Sequence, residues 1–222
     1  MATKTYYPLD AKISGSELGD MQEDGSAPAT ATMVTGWIVG TTAPTEYSSL
    51  NVTTERTEAT FDAVSDLDAA LVPNAGLGDS WRTPTALTGA FAATDWDFDW
   101  FVRQDTTGGA ADGRMRMRVW KDTSADGSTA TELTSGAVVG ATCTNIGTTA
   151  QNSGITWSPG AITLTAQYLF FQLEWEITGG GGGGTADVHF QVGTSRVLTP
   201  DFTAGSVVGT STALRQGRRR RR

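Results

Sequence analysis

The sequence predicts an all-β protein, an antiparallel β-sandwich of the jelly-roll type with an extended N-terminal arm and a basic C-terminal tail. Apolar runs are short, turn-forming residues recur about every 8–12 positions, and strand–helix–strand alternation is absent. The 222 residues include 27 glycines and only 18% charged residues. This composition favours strands and turns over helices. We expect roughly seven to nine strands.

The chain divides into three predicted segments. Residues 1–30 mix polar, acidic and small side chains without periodicity, which predicts an extended arm that is loose or lies on a neighbouring subunit. Residues 31–203 carry the strand signals and are predicted to form the sandwich body. Residues 204–222 form a tail that ends in five consecutive arginines.

Short apolar runs begin the body. Residues 33–39 read as a first strand and residues 56–61 as a weaker second one. Residues 62–86 are irregular: positions 66–71 could form a helical turn, and prolines and glycines then interrupt the chain. This part of the body is therefore expected to consist mainly of loops.

Two clear period-two alternations follow. Residues 96–103 place Trp96 and Trp100 on an apolar face, and residues 114–120 place methionines opposite arginines. Such alternation is typical of strands with one buried face. The glycine-containing segment 106–113 separates them, so an antiparallel hairpin is expected.

A third alternation predicts the longest strand. Residues 161–178 contain no proline or glycine, and Trp175 lies on their apolar face. Six glycines at 179–184 are expected to form a flexible hairpin tip, and residues 188–192 are expected to return as the partner strand.

Three arginines on one face of the second alternation raise the question of chemistry. They are Arg114, Arg116 and Arg118. Carboxylates with the same spacing are Asp97 with Asp99, and Glu174 with Glu176. Opposite charges on paired strands contribute roughly 0.2–1 kcal/mol per pair, which favours a cross-strand ladder on a solvated or subunit-facing surface. A phosphate or acidic-partner site is the alternative, and a glycosidase carboxylate pair is a weaker one.

Other candidate sites have simpler structural explanations. His189 is the only histidine and is expected to be a hydrogen-bonded sheet residue, while Cys143 is the only cysteine and is expected to be buried. Asp112, Asp122 and Asp126 could hold calcium, although turn formation explains them more simply. The sequence therefore predicts no catalytic residue, cofactor or metal.

The C-terminal tail is the sharpest local feature. It holds Arg215 and the run Arg218, Arg219, Arg220, Arg221 and Arg222. Without these six arginines, residues 1–214 carry ten basic against 24 acidic side chains, a net charge of −14. Guanidinium groups bind phosphate and carboxylate bidentately. The tail could therefore meet packaged DNA without base specificity, meet an acidic patch on a neighbouring subunit, or merely increase solubility.

Recurrent Trp, Gly and Asp-Gly positions resemble those of a known group of proteins. They lie in segments 77–82, 87–91, 111–114, 119–121, 126–128, 167–170 and 186–188, with Trp96, Arg103, Trp175, Ile177, Thr178, Thr199 and Pro200. Together they resemble uncharacterised virion structural proteins of tailed bacteriophages and prophages, encoded among head and tail genes. The likeness spans residues 30–202 and implies a virion component, with no catalytic or ligand residue carried over.

These observations predict a non-enzymatic structural protein, present in many copies in the capsid surface, head–tail neck or tail. Its expected partners are other virion subunits and further copies of itself. The alternative is a carbohydrate- or host-receptor-binding sandwich, in which exposed Trp81, Trp120 or Trp157 would stack on sugars. The sequence carries no signal-peptide pattern and no run of about 18 apolar residues. We therefore expect synthesis in the host cytoplasm, location in the virion and no membrane association.

Overall fold

The computed structural model describes residues 2–13, 18–23, 33–34, 46–49, 61–62, 67–73, 80–104, 110–181, 188–191 and 194–205. Within these ranges every regular element is a β-strand, which confirms an all-β protein. The strands are β1 (Ala2–Lys12), β2 (Gly19–Glu23), β3 (Met33–Val34), β4 (Glu46–Ser49), β5 (Phe61–Asp62), β6 (Ser80–Arg82), β7 (Leu87–Phe91), β8 (Trp96–Asp99), β9 (Phe101–Gln104), β10 (Ala110–Asp122), β11 (Thr131–Glu132), β12 (Val138–Val139), β13 (Cys143–Ile146), β14 (Gln151–Asn152), β15 (Ile155–Trp157), β16 (Ile162–Gly181), β17 (Val188–Gln191) and β18 (Arg196–Ala204).

The described strands outnumber the seven to nine expected because several are short pieces that share one long partner. β11, β12 and β13 all pair with β10, on the side away from β16. The sequence shows these pieces only as scattered Thr, Val and Ile residues between turns. Counting turn signals therefore underestimated the number of strands.

Six strands close into a barrel-like ring. β16 pairs with β6 and β7, β7 pairs with β18, β18 with β1, β1 with β2, and β2 with β6. Among the described pairings, β2–β6 is the parallel one and the others are antiparallel. Closing a sheet removes free edges from the strands in the ring.

Gly89 sits where the ring closes. It pairs with Leu164 of β16 on one side and with Ala204 of β18 on the other. Its φ is +149°, and a Cβ atom there would lie 2.3 Å from the backbone oxygen of Thr203 and 2.7 Å from the Phe202 ring. Glycine is required because both the dihedral angle and the space exclude a side chain.

The two longest described strands, β10 and β16, pair from Ala110–Gly181 to Asp122–Tyr168, with an irregularity between Asp112 and Gly113.

The predicted hairpin between residues 96–103 and 114–120 is wrong, because β8 pairs with β15 and β18 while β9 pairs with β14 and β17. β17 is likewise not the described partner of β16, since it pairs with β9 and β3 in a four-stranded sheet.

The core is aromatic, as the composition implied. Trp96, Trp100 and Trp175 are at most 1% exposed, and their alternation with polar residues matches the predicted inward faces. Most of the described ring pairs are tilted, with the Phe91 and Trp96 centroids 4.6 Å apart, while Trp96 and Phe98 stack. Such pairs stabilise by roughly 0.5–1.5 kcal/mol beyond their burial.

Buried hydroxyl groups replace backbone partners where the strand pairing is interrupted. Ser153 Oγ accepts a hydrogen bond from Met115 N (2.8 Å) and donates one to Ala141 O (2.7 Å), between the stretches of β10 that pair with β12 and β13. Thr199 Oγ1 likewise accepts from Lys4 N at a register shift between β1 and β18. These contacts explain how a Ser/Thr-rich chain satisfies buried backbone N–H groups.

The N-terminal segment contributes to the ring. β1 pairs with β18, so that Ala2 lies opposite Phe202, and Tyr6 of β1 is completely buried. The described part of the predicted arm therefore packs against its own chain. The absence of periodicity in 1–30 concealed two strands, while the three-segment division of the chain stays a prediction.

Candidate interaction faces

Three arginines of β10 lie on one face of the β10–β16 pair, which we call the arginine face. The register places Arg114 opposite Glu176, Arg116 opposite Glu174 and Arg118 opposite Gln172. The period of two in both strands produces this alignment because alternate side chains share a face. Of the two carboxylate pairs considered from the sequence, the structure therefore brings Glu174 and Glu176 to the arginines.

Each of the three arginines forms an ion pair. Arg114 Nε lies 2.5 Å from Glu176 Oε2, and Arg116 Nη1 lies 3.1 Å from Glu174 Oε2. Two carboxylates from outside β16 complete the set: Asp68 Oδ1 is 2.5 Å from Arg116 Nη2, and Glu132 Oε2 is 2.5 Å from Arg118 Nη1.

The arginine face is largely buried, which corrects the expectation of a solvated surface. The Arg116 and Arg118 side chains are 10% and 8% exposed, and Glu174 is 1% exposed. Asp68, by contrast, is 58% exposed. Charges removed from water require close partners, which these ion pairs provide. Any anionic partner would have to displace carboxylates already bound to the guanidinium groups.

Trp120 ends the arginine face inside the protein. Its indole N–H donates a 3.0 Å hydrogen bond to Gln172 Oε1, and its ring packs with Leu18 and Phe170 in a second apolar cluster. Trp81 and Trp157 are also buried, at 1% and 7% exposed. The sugar-binding alternative required exposed rings at these positions, and packing against neighbouring strands covers them.

A second charged face was missed in the sequence because Asp97 and Asp99 were considered as partners of the arginines or as a glycosidase pair, without Asp95. Asp95, Asp97 and Asp99 alternate with buried Trp96 and Phe98 and point outward; we call these three residues the aspartate stripe.

Polar groups flank each member of the stripe. Asp95 accepts from Ser158 Oγ (2.5 Å), Asp97 from Thr156 Oγ1 (2.9 Å) and Asp99 from Asn152 Nδ2 (2.7 Å). The signal that could have found this face is the alternation of Asp with Trp and Phe.

One arginine already binds the aspartate stripe. Arg196 of β18 lies opposite Asp99, and its Nε is 2.7 Å from Asp99 Oδ2. This hydrogen bond and the carboxylate charge raise the pKa of Arg196, against the opposing effect of burial. Within the described part of the chain, Asp95 and Asp97 form no ion pair.

Of the aspartates considered for calcium, Asp112 of β10 accepts a 2.7 Å hydrogen bond from Asn145 N of β13, and the other two hold turns. Asp122 accepts hydrogen bonds from Thr129 N and Ser124 N, both at 2.9 Å. Hydrogen bonds from the side chains of Ser124 and Ser128 and from the backbone of Ser128 lower the pKa of Asp126 to about 2. Among the described residues no group of three or more His, Cys, Asp or Glu side chains could hold a metal ion.

The remaining sequence candidates add no described site. Cys143 is buried, and this burial raises the pKa of its thiol. His189 lies in β17 opposite Arg103, and its side chain is outside the described structure. Arg215 and Arg218–Arg222 are also outside the described residues.

No protein-family model matches the chain, and a search of curated proteins finds no match. In the described ranges, the chain forms no helix with the length and apolar character needed to span a bilayer.

Proposed function

We propose that the protein is a non-enzymatic structural component of a tailed-phage particle, present in many copies and attached to its neighbours through its termini. The jelly-roll form of the body, the virion location and the capsid, neck or tail partners belong to this proposal. The arginine run is its main attachment element and meets virion proteins, with nonspecific contact to DNA as a further role.

One observation carries the proposal: the arginines of the body are engaged internally while the two ends of the body lie side by side. Arg114, Arg116 and Arg118 are held in ion pairs, so they are poorly placed to recruit a partner. The pairing of Ala2 with Phe202 brings the start of β1 next to the end of β18, after which the arginine-rich segment follows. Contacts made by both ends would therefore originate from one side of the body.

The absence of enzymatic activity is proposed from the state of the carboxylates. A glycosidase needs a proton-donating carboxyl and a second carboxylate facing the substrate. Glu174 and Glu176 instead neutralise buried or half-buried arginines, and Asp97 and Asp99 accept hydrogen bonds from neighbouring side chains. These roles support a structural rather than a catalytic protein.

Sugar binding finds less support. Aromatic platforms bind sugars with an exposed ring face, and Trp81, Trp120 and Trp157 are buried. The buried rings therefore give no support to carbohydrate binding through these residues.

A pull-down against purified phage capsids, purified tails and free DNA tests the proposal, with the full chain as bait at several salt concentrations. Two matched variants carry Arg218–Arg222 replaced by five lysines or by five glutamines. We expect capsids or tails to bind the wild-type chain, the lysine variant to bind more weakly because it loses bidentate pairing, and the glutamine variant to bind weakest. Binding to DNA alone, lost at moderate salt, would instead assign the chain to the packaged genome. Equal binding by all three proteins would refute attachment through the arginine run.

A further inference from the structure

Two neighbouring side chains of the arginine face carry hydrogen-bond donors that have no acceptor. Gln172 of β16 lies opposite Arg118 of β10, and Ser80 of β6 flanks Gln172 on its other side. Gln172 is completely buried, and the Arg118 side chain is 8% exposed. Gln172 Nε2 and Arg118 Nε are both buried atoms, and neither has a hydrogen-bond partner in the part of the chain that the structure describes. Buried donors without acceptors are rare in folded proteins, so these two require an explanation.

The chemistry of Trp120 fixes the orientation of the Gln172 amide. Trp120 Nε1 lies 3.0 Å from Gln172 Oε1, and an indole nitrogen can only donate. Turning the amide over would place two donors against each other, so the oxygen must face the indole and the NH2 group must find its acceptor elsewhere. On Arg118, Nη1 is held by Glu132 Oε2 at 2.5 Å, which leaves Nε as the unpaired donor. Because residues opposite each other share a face, an amide and a guanidinium that both require an acceptor lie on adjacent side chains.

The position of these donors in the ladder indicates the charge of the acceptor. In two rungs of the arginine face an arginine of β10 lies opposite a glutamate of β16, whereas Arg118 lies opposite the neutral Gln172. The third rung therefore lacks the β16 carboxylate that the other two rungs have. An anion between β10 and β16 would complete the pattern at this rung.

The two donors favour a small anion over water. Glu132 Oε1 already accepts hydrogen bonds from Thr134 Oγ1 (2.9 Å) and Gly136 N (2.6 Å). Gln172 Oε1 is engaged by the indole of Trp120. A water molecule bound to both donors would need acceptors for its own hydrogens as well, whereas an anion only accepts. The guanidinium supplies the positive charge that a buried anion requires, and the burial of both nitrogens favours an ion of a single atom.

We propose that Gln172 Nε2 and Arg118 Nε bind one halide ion, which is chloride under ordinary ionic conditions. The ion joins β16 to β10 where a third glutamate of β16 would otherwise be needed. Unlike a larger anionic partner, a single ion at these two atoms need not displace the carboxylates that already hold the guanidinium groups. The inference does not rest on the proposed function, because it concerns the interior of the isolated chain.

Thermal unfolding of the full chain in mixtures of sodium chloride and sodium gluconate tests this site. The ionic strength is the same in every mixture, so that screening of surface charges does not change. A ligand that binds the folded state raises Tm as its concentration increases. We expect the wild-type Tm to rise by roughly 5–10 °C when chloride reaches about a hundred times its Kd. An equal Tm in every mixture would overturn the proposal.

Gln172→Glu is the probe variant, because its carboxylate keeps an acceptor for Trp120 and gives Arg118 Nε an acceptor from the protein itself. Its Tm should respond to chloride by less than about a fifth of the wild-type shift, since the added carboxylate replaces the ion. The matched control is Gln167→Glu, which makes the same charge change elsewhere on β16 and should keep the full chloride response. Equal responses of the two variants would show that chloride acts at another place.

Crystals of the wild-type chain grown in sodium bromide give a second measurement that needs no variant. Anomalous diffraction should locate one bromide within hydrogen-bond distance of both Gln172 Nε2 and Arg118 Nε. The absence of an anomalous peak there, with or without a water molecule in its place, would overturn the proposal. A bromide peak without any effect of chloride on Tm would mean binding at crystal concentration only, which would overturn it as well.

Discussion

Replacing Arg116 by methionine should destabilise the protein strongly, because it leaves the Glu174 carboxylate buried without its cation. The Glu174 side chain is 1% exposed, and Arg116 Nη1 lies 3.1 Å from it. Breaking a buried ion pair by removing one partner costs roughly 3–5 kcal/mol. We take about 3 kcal/mol, since the Asp68 carboxylate released at the same time is 58% exposed and remains hydrated. For a chain of this size that loss lowers Tm by roughly 6–12 °C.

Denaturant unfolding followed by tryptophan fluorescence measures this loss, because the tryptophans of the described body are buried and report its opening. The double variant Arg116→Met with Glu174→Met should recover to within about 1 kcal/mol of wild type, since both buried charges of the pair are removed and Asp68 remains hydrated. Arg196→Met is the exposed-pair control and should cost less than about 1 kcal/mol. A loss below about 1 kcal/mol for Arg116→Met alone would show that water reaches this pair and would refute the buried ladder.

Three further substitutions test the ring, the hydroxyl contacts and the turn. Gly89→Ala should cost at least about 2 kcal/mol because of its φ and the Thr203 oxygen; a Tm within a few degrees of wild type would contradict ring closure at this position. Ser153→Ala should cost roughly 2 kcal/mol by leaving Met115 N–H and Ala141 C=O unpaired, measured by denaturant unfolding, whereas no loss would mean that water replaces the hydroxyl. Asp126 has a pKa lowered from 3.8 to about 2, so its carboxylate stabilises the fold at neutral pH and this contribution disappears as pH falls through about 2. Asp126→Asn should therefore lose less stability than wild type on acidification, and identical acid profiles would exclude this contribution.

The sequence predicts well which face of a strand is buried, and it predicts poorly which strands pair. Alternation around Trp96 and Trp175 places the correct side chains inside because it depends only on local backbone geometry. The partners depend on long-range closure: β17 joins β9 instead of β16, and β1 joins β18, almost 200 residues away. A glycine-rich segment between two strands indicates a turn, and it does not determine whether those two strands pair.

For the arginine face too, the sequence predicts the local pattern and does not predict the long-range surroundings. The arginine spacing and the matching spacing of Glu174 and Glu176 predict a ladder, and the structure contains it. Its burial could not be predicted, because it depends on Asp68 and Glu132, which come from segments with weak local signals. The aspartate stripe could have been recognised from its alternation, although its position beside β18 follows only from the pairing of β8.

The ladder also bears on how β10 finds its register. A slip of two residues keeps every side chain on its face, so apolar alternation alone cannot exclude it. One such slip would still place Arg116 opposite Glu176 and Arg118 opposite Glu174, and charge therefore does not exclude it either. Gly113 excludes this slip. A Cβ atom at this position would lie 2.3 Å from the Trp175 ring, and after the slip Met115 would occupy the position of Gly113 beside that ring. The arginines therefore restrict the register to a few alternatives, and the space that Trp175 requires beside Gly113 selects among them.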